Sequence, residues 1–456
     1  MLTVAPIPQP SAALLEACPP PEPARCHIRT ILTLAAIGRL LVLRFILVHY
    51  PRGWLFSKGE ELGFLGRVLA LGQGFHSPFG GVTGPTAFLA PGYPFVISLF
   101  FRIFGIYSDR SAAAILLLHV IFSLITVALV VDVARWVGGT RVANLAGFYW
   151  ALSPTLVWMP VIFWDTCAST MLLTGAVAVA LRLGRRPSLA LWMAAGLCSG
   201  LTLLINPSLF VALLAIGGWA VFANGWPGVG ASASRSASGP VSGRARRGSP
   251  WLAPAAGLLV LAGVFAPWPI RNAVVLHAFI PFRSNLGYEL WNGNQHGGNG
   301  CFVPALHPVL SRQQYREYAS LGEVRYMEEK SALGKALIRA YPLEFVRVTA
   351  WRAPAFWLGL SQGEDGRSGL VVLHAAMTSC LGTAGLVLLF RRKRRLGWLF
   401  LLPLLVFPLP YYITHPDFRF RLLLDPLVTI LAAYALTCGW RAYRRRYPAA
   451  ASQGWH

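Results

Sequence analysis

Apolar residues in this chain come in long unbroken runs, rather than in the stripes of a soluble helix or the alternation of a half-buried strand. The runs fall at 31–50, 112–133, 142–160, 166–183, 188–205, 207–223, 251–268, 369–390, 396–413 and 422–439. Each approaches the roughly 20 residues that a helix needs to cross a bilayer core. Backbone in lipid must satisfy its own hydrogen bonds, so helices are the predicted form. The pattern therefore predicts an all-α polytopic membrane protein with about ten transmembrane helices. Only 12% of the residues are charged, about half the share in a soluble domain, which argues against a large soluble helical protein.

Charge then sets the threading. Arg135 and Arg141, Arg182 to Arg186, Arg235 to Arg247, Arg391 to Arg395 and Arg441 to Arg446 fall in alternate loops that hold no acid. Cytoplasmic loops carry the excess of Lys and Arg, so both termini are expected in the cytoplasm. The net charge of +23 then reports topology and contact with membrane lipids, not nucleic acid, because no basic stripe with interleaved aromatics lies on a soluble module.

This thread divides the chain into an N-terminal tail (1–29), a membrane core (30–269), an external segment (270–368), C-terminal membrane helices (369–440) and a basic tail (441–456). The Pro-rich start precedes a long apolar run and reads as leading into a retained anchor, not a cleaved signal. Residues 51–111 form one external loop with interfacial helices. In it, 88–106 is apolar enough to pass for a span, but Pro91 and Pro94 favour an interfacial or re-entrant course. The Gly/Ser/Ala/Arg-rich stretch 224–250 reads as a flexible cytoplasmic linker. In the external segment one helix is predicted from Ser311 to Ala340, with Ser311 as its N-cap. Seven scattered cysteines without a CxxC suggest neither a disulfide framework nor a zinc site.

The acids are scarce enough to be informative. The first 269 residues hold seven, among them Glu60, Glu61 and Asp165. Glu60-Glu61 reads either as an acidic first turn on an interfacial helix or as part of a site. Asp165 reads equally as the N-cap of the helix beginning at Thr166 and as a site carboxylate. Trp164 beside it offers an interfacial anchor and a sugar-stacking face. Further on, His415-Pro416-Asp417-Phe418-Arg419-Phe420-Arg421 places cations on the outer side, against the orientation bias. They suit phosphate, as bound substrate or as lipid headgroup.

The order of these elements resembles bacterial GT-C membrane glycosyltransferases, the lineage of protein O-mannosyltransferases and the lipid A aminoarabinose transferase. An acidic pair after the first run is followed by Leu69-Ala70-Leu71-Gly72-Gln73-Gly74-Phe75, Pro91-Gly92-Tyr93-Pro94, Trp164-Asp165 and a distal Arg-Phe-Arg. The block Gly287-Tyr288-Glu289-Leu290-Trp291-Asn292-Gly293-Asn294 looks like a bacterial branch of that lineage. The resemblance implies a sugar donor on a polyprenyl phosphate, a glycan, lipid or protein hydroxyl as acceptor, and catalysis at the outer face of the cytoplasmic membrane. It implies Glu61 or Glu60 as the first-loop carboxylate and Asp165 as the acid of the second external loop. Trp164, Arg67, Tyr93, His415, Arg419 and Arg421 are the expected substrate-binding residues. Relatives often have Lys-Pro-Pro where this chain has Leu89-Ala90-Pro91-Gly92, so Arg419, Arg421 or Arg67 must replace a phosphate-binding Lys. No cofactor or metal is demanded. A transporter or flippase of lipid-linked saccharides is the other reading, although transporters gather charge near the midplane and these acids gather at one boundary.

Overall fold

A computed structural model describes residues 25–50, 55–223, 251–360 and 369–446. The expected linker 224–250, most of the N-terminal tail and the end of the basic tail lie outside the described residues. Those residues are helical, and their only β pairing is an isolated bridge between His76 and Pro85.

A helix occupies each of the ten apolar runs, and six are long and apolar enough to cross a membrane: Ile28–His49, Asp109–Gly138, Thr166–Leu183, Leu252–Leu276, Gly369–Arg392 and Arg394–Ile413. The protein is a multi-pass membrane protein. The longest of these helices, Asp109–Gly138, starts where the Ser108 hydroxyl accepts the Ser111 amide and stops at Gly139, whose φ of 80° favours glycine. Asp425–Arg446 is too polar for that list and packs as an interior helix against Gly369–Arg392, Thr140–Leu152 and Asp109–Gly138. The Gly92–Phe104 helix has 13 residues. At 1.5 Å per residue it rises about 20 Å, short of a bilayer core of about 30 Å.

Several expected helices are broken, two of them for reasons that are plain in the chain. The run 142–160 divides into Thr140–Leu152 and Pro154–Trp158, because Pro154 donates no hydrogen bond and disfavours helix at Ser153. Carbonyls near the break need donors inside an apolar core, and the buried Arg39 supplies them. Its guanidinium donates to the Trp150, Ala151 and Leu156 carbonyls at 3.1, 3.3 and 3.4 Å, while its Nε donates to Ser123 Oγ at 2.7 Å. The predicted helix 311–340 is two helices, Arg312–Leu321 and Glu323–Ala340, parted at Gly322 with φ 74°. The Ser311 cap is present, its hydroxyl accepting the Gln314 amide at 3.3 Å.

The buried side chains form two clusters. One fills the interior of the membrane helices. The other joins residues 55–116 to Trp268, Tyr288, Trp291, Tyr318, Tyr326 and Met327, so the long segment after Leu276 is packed on the first loop. The fastening is polar. Glu323, 4% exposed, accepts the Ala87 amide at 2.6 Å, the Tyr318 hydroxyl at 2.7 Å and the Thr86 hydroxyl. Arg271 donates to the Phe75 and Thr86 carbonyls at 2.7 and 2.6 Å, and Arg283 Nε to the Phe88 carbonyl at 3.0 Å.

Candidate active site

The acidic pair opens the Glu60–Ala70 helix. Gly59, just before it, lies against the Phe163 carbonyl, where a Cβ would stand only 2.4 Å from the oxygen. Gly66 is equally close to Ile97 of the Gly92–Phe104 helix. Gly59 seats the acidic turn directly on the Phe163-Trp164-Asp165 turn, and Gly66 seats the same helix on Gly92–Phe104. Two stretches about a hundred residues apart are thereby brought together.

Glu61 Oε1 is 3.1 Å from His307 Nε2. Burial would raise this carboxyl, but the hydrogen bond and charge of His307, with Arg419 nearby, hold it below the ordinary value. His307 Nδ1 accepts the Val309 amide at 3.3 Å, so the proton on this ring sits on Nε2 and points to Glu61. Glu60 is partly exposed, and its carboxyl is pushed up by partial burial and by the charge of Glu61.

Asp165 occupies the N-cap position of Thr166–Leu183 yet makes no capping hydrogen bond. Its Oδ2 instead accepts Ser169 Oγ at 2.5 Å and Asn206 Nδ2 at 2.9 Å. Ser208 Oγ donates to Asn206 Oδ1, and the Tyr411 hydroxyl donates to Ser208 Oγ at 3.0 Å. Tyr411 stacks on Phe420, centroids 4.1 Å apart. Next to Phe420, the Arg419 guanidinium covers the Trp164 ring at 4.0 Å. A closed circuit thus runs from Asp165 through Asn206, Ser208, Tyr411, Phe420 and Arg419 back to Trp164.

A second carboxylate–histidine pair lies alongside. Glu289 Oε2 is 2.9 Å from His415 Nε2, and Glu289 Oε1 accepts Asn285 Nδ2 at 2.7 Å. Burial opposes its charge, but His415, Arg283 and His307 together hold the carboxyl below its usual range. The Phe302 ring stands between the two imidazoles, 5.8 Å from His307 and 5.1 Å from His415. Arg283 feels the charges of Glu289 and Asp165, and its burial lowers the guanidinium from the ordinary value. Among the described residues no three His, Cys, Asp or Glu side chains are arranged to hold a metal ion.

Glu61, Glu60, Asp165, Trp164, His415 and Arg419 are therefore brought together. Three expected binding residues are placed otherwise. Arg421 is fully buried and spent on Asp425, on Thr378 Oγ1 at 2.7 Å and on Ser379 Oγ at 3.1 Å; it is a core residue, not a phosphate ligand. Arg67 is exposed in the last turn of its helix, near Tyr107. Tyr93 is buried near Asp165, with its hydroxyl bonded to His119, whose Nδ1 lies 2.7 Å from the Pro160 carbonyl. Sequence reasoning missed Glu289, His307 and Arg283. Glu289 had a signal, an acid inside an aromatic block; His307 and Arg283 had none.

The archaeal oligosaccharyltransferase AglB from Archaeoglobus fulgidus, solved in complex with an inhibitory peptide and a dolichol-phosphate, superposes with a TM-score of 0.52 at 15% identity over 94% of this chain. The chain has the GT-C fold. It spans about half the length of that enzyme, 52%. The same oligosaccharyltransferase tethered to an acceptor peptide containing the NVT sequon gives a TM-score of 0.52 at 15% identity, covering 92% of this chain and 50% of that one. The family described as dolichyl-phosphate-mannose-protein mannosyltransferase matches residues 88–231. That match takes in Tyr93, Trp164 and Asp165 and begins after the Glu60-Glu61 pair. No curated protein matches the chain by sequence. Glu61, Glu289 and Arg283 stand, half-buried, where the first loop meets the long segment after Leu276.

Proposed function

We propose that this protein is an integral-membrane glycosyltransferase that moves a sugar from a polyprenyl-phosphate donor to an acceptor hydroxyl at the outer face of the cytoplasmic membrane, with both termini in the cytoplasm. One observation carries the reading: on a GT-C fold, Glu61, Asp165 and Glu289 converge with Arg419 and Arg283 in a half-buried site.

In that site the leaving lipid phosphate gains negative charge as the C1–O bond breaks, and Arg419 with Arg283 stabilises it where water is scarce. Glu61, kept ionised by His307 and Arg419, supplies fixed negative charge to the positive character that builds on the sugar ring. Asp165, oriented by Asn206 and Ser169, holds the sugar or the acceptor beside it. Glu60, the less buried acid, stands at the approach. The acceptor is a glycan, lipid or protein hydroxyl, attack is by single displacement, and no resident cofactor takes part. A lipid-held leaving group accounts for the enzyme being embedded.

The test is release of polyprenyl phosphate by the full-length protein in liposomes supplied with synthetic polyprenyl-phosphate monosaccharides. Glu61→Gln and Asp165→Asn are expected to lower turnover at least 100-fold with thermal unfolding unchanged, the range for loss of one charged catalytic group. Full activity in both variants rejects these roles. No turnover by the wild type with any donor rejects the transferase.

A further inference from the structure

The two carboxylate–histidine pairs differ in one respect that their sequence context hides. His307 is satisfied at both nitrogens: Nε2 faces Glu61 and Nδ1 accepts the Val309 amide. His415 is satisfied at one. Its Nε2 faces Glu289 Oε2 at 2.9 Å, while its Nδ1 is buried and has no hydrogen-bond partner among the described residues. The ring itself is 8% exposed. A carboxylate against Nε2 places the proton there and leaves the Nδ1 lone pair free to accept.

Arg419 carries the complementary defect. Its Nε, an obligate donor, is buried and also lacks a partner among the described residues. Both side chains lie beside the Phe420 ring, His415 with centroids 6.2 Å apart and the Arg419 guanidinium 5.0 Å from the centroid. A buried polar atom left unpaired costs roughly 1–3 kcal/mol, so each calls for a ligand atom. One unpaired donor and one unpaired acceptor match a hydroxyl, which accepts from the first and donates to the second. A phosphate oxygen would satisfy Arg419 and set lone pair against lone pair at His415.

We propose that His415, held in one tautomer by Glu289, is a further catalytic residue: its Nδ1 takes the proton of the attacking acceptor hydroxyl. The inference rests on the transferase reading above and adds the group that removes the proton. The acceptor O–H bond breaks as acceptor oxygen bonds to C1, and the proton goes to Nδ1. The C1–O bond to phosphate breaks with its electron pair, leaving polyprenyl phosphate with one more negative charge. The imidazolium is stabilised by the Glu289 carboxylate, in the way a buried acid supports a histidine base. Glu61 is the poorer proton acceptor, since protonating it would give up its pairing with His307. The charged and titratable groups around His415 are Glu289, with Arg283 and His307 beyond it, Phe420's neighbour Arg419, and Asp417 on its own stretch.

The experiment uses the full-length protein in liposomes with whichever synthetic polyprenyl-phosphate monosaccharide turns over in the wild type. His415→Gln keeps a donor toward Glu289 and removes the Nδ1 base. Its kcat is expected to fall 100-fold or more with KM for the donor changed less than threefold, and the acidic limb of the kcat/KM profile is expected to vanish. Glu289→Gln, which retains the base without its carboxylate, is expected to move that limb to lower pH, because the imidazolium loses a stabilising charge. His415→Gln with wild-type kcat, or with its acidic limb unmoved, overturns the proposal. So does loss of the limb in Glu60→Gln instead. A Glu289→Gln variant that loses kcat and KM together with no shift of the limb assigns the pair a structural role only. A wild type inactive on every donor fails the transferase reading itself, and this inference with it.

Discussion

Gly59 offers the sharpest test of how the site is assembled. Adding one methyl group there places a Cβ 2.4 Å from the Phe163 carbonyl oxygen and 2.8 Å from the Phe163 ring, about 1 Å inside the 3.4 Å at which ordinary contact begins. The obstacle is backbone at the oxygen, so it cannot rotate away. The acidic turn and the Trp164-Asp165 turn must separate by roughly that 1 Å. Overpacking of this kind costs about 1–3 kcal/mol, and a displacement near 1 Å in a reacting constellation costs on the order of 100-fold in rate. Gly59→Ala should therefore lose far more activity than stability: turnover of the polyprenyl-phosphate donor down about 100-fold, with a modest fall in apparent Tm. Gly217→Ala is the control. That glycine has nothing within 4 Å of its Cβ position and lies in a helix, where alanine is favoured by up to about 1 kcal/mol. Wild-type turnover in Gly59→Ala would show that close seating of the two turns is not needed for the chemistry.

Other outcomes follow from burial and charge. Arg421→Ala should cost about 3–5 kcal/mol of stability by leaving the buried Asp425 carboxylate without its guanidinium, with only His374 still beside it, whereas Arg419→Ala should fold and lose donor turnover; equal unfolding temperatures for the two would refute the division. Glu323 is a pH-dependent fastener: burial raises its carboxyl above the ordinary value, so its protonated form contributes stability that is complete below the usual carboxylate range and lost as pH rises through the raised one. Glu323→Gln should flatten the apparent Tm against pH above that range; an unchanged slope would place the titration elsewhere. Ser123→Ala, which removes the acceptor of Arg39 Nε, should lower stability by about 1–3 kcal/mol without changing turnover.

The membrane helices were readable because apolar runs of bilayer length have few other uses. The breaks inside them were less so: Pro154 announces one, but the residue that makes it tolerable, Arg39, comes from a helix more than a hundred positions away. Asp165, Glu61 and Arg419 stood out as charges in apolar surroundings. Arg421 misled for a geometric reason. In a helix two residues turn through about 200°, so Arg-Phe-Arg on the short Phe418–Arg421 helix sends its cations to opposite sides, one to Trp164 and one to Asp425. An extended segment would have aimed both alike. His307 and Arg283 escaped notice because their segment joins the site through contacts such as Glu323 with Ala87, and nothing local reports them, whereas Glu289 at least stood as an acid inside an aromatic block. Asp165 showed that a capping position and a capping bond are separate facts.

The fastening of the long segment has a consequence for change over time. Glu323, Arg271 and Arg283 hold the strip from Phe75 to Phe88 mainly by its carbonyls and one amide, with the Thr86 hydroxyl the exception. Grips on main chain are indifferent to which side chains the strip bears. Its outward residues can be exchanged while the anchorage keeps its place.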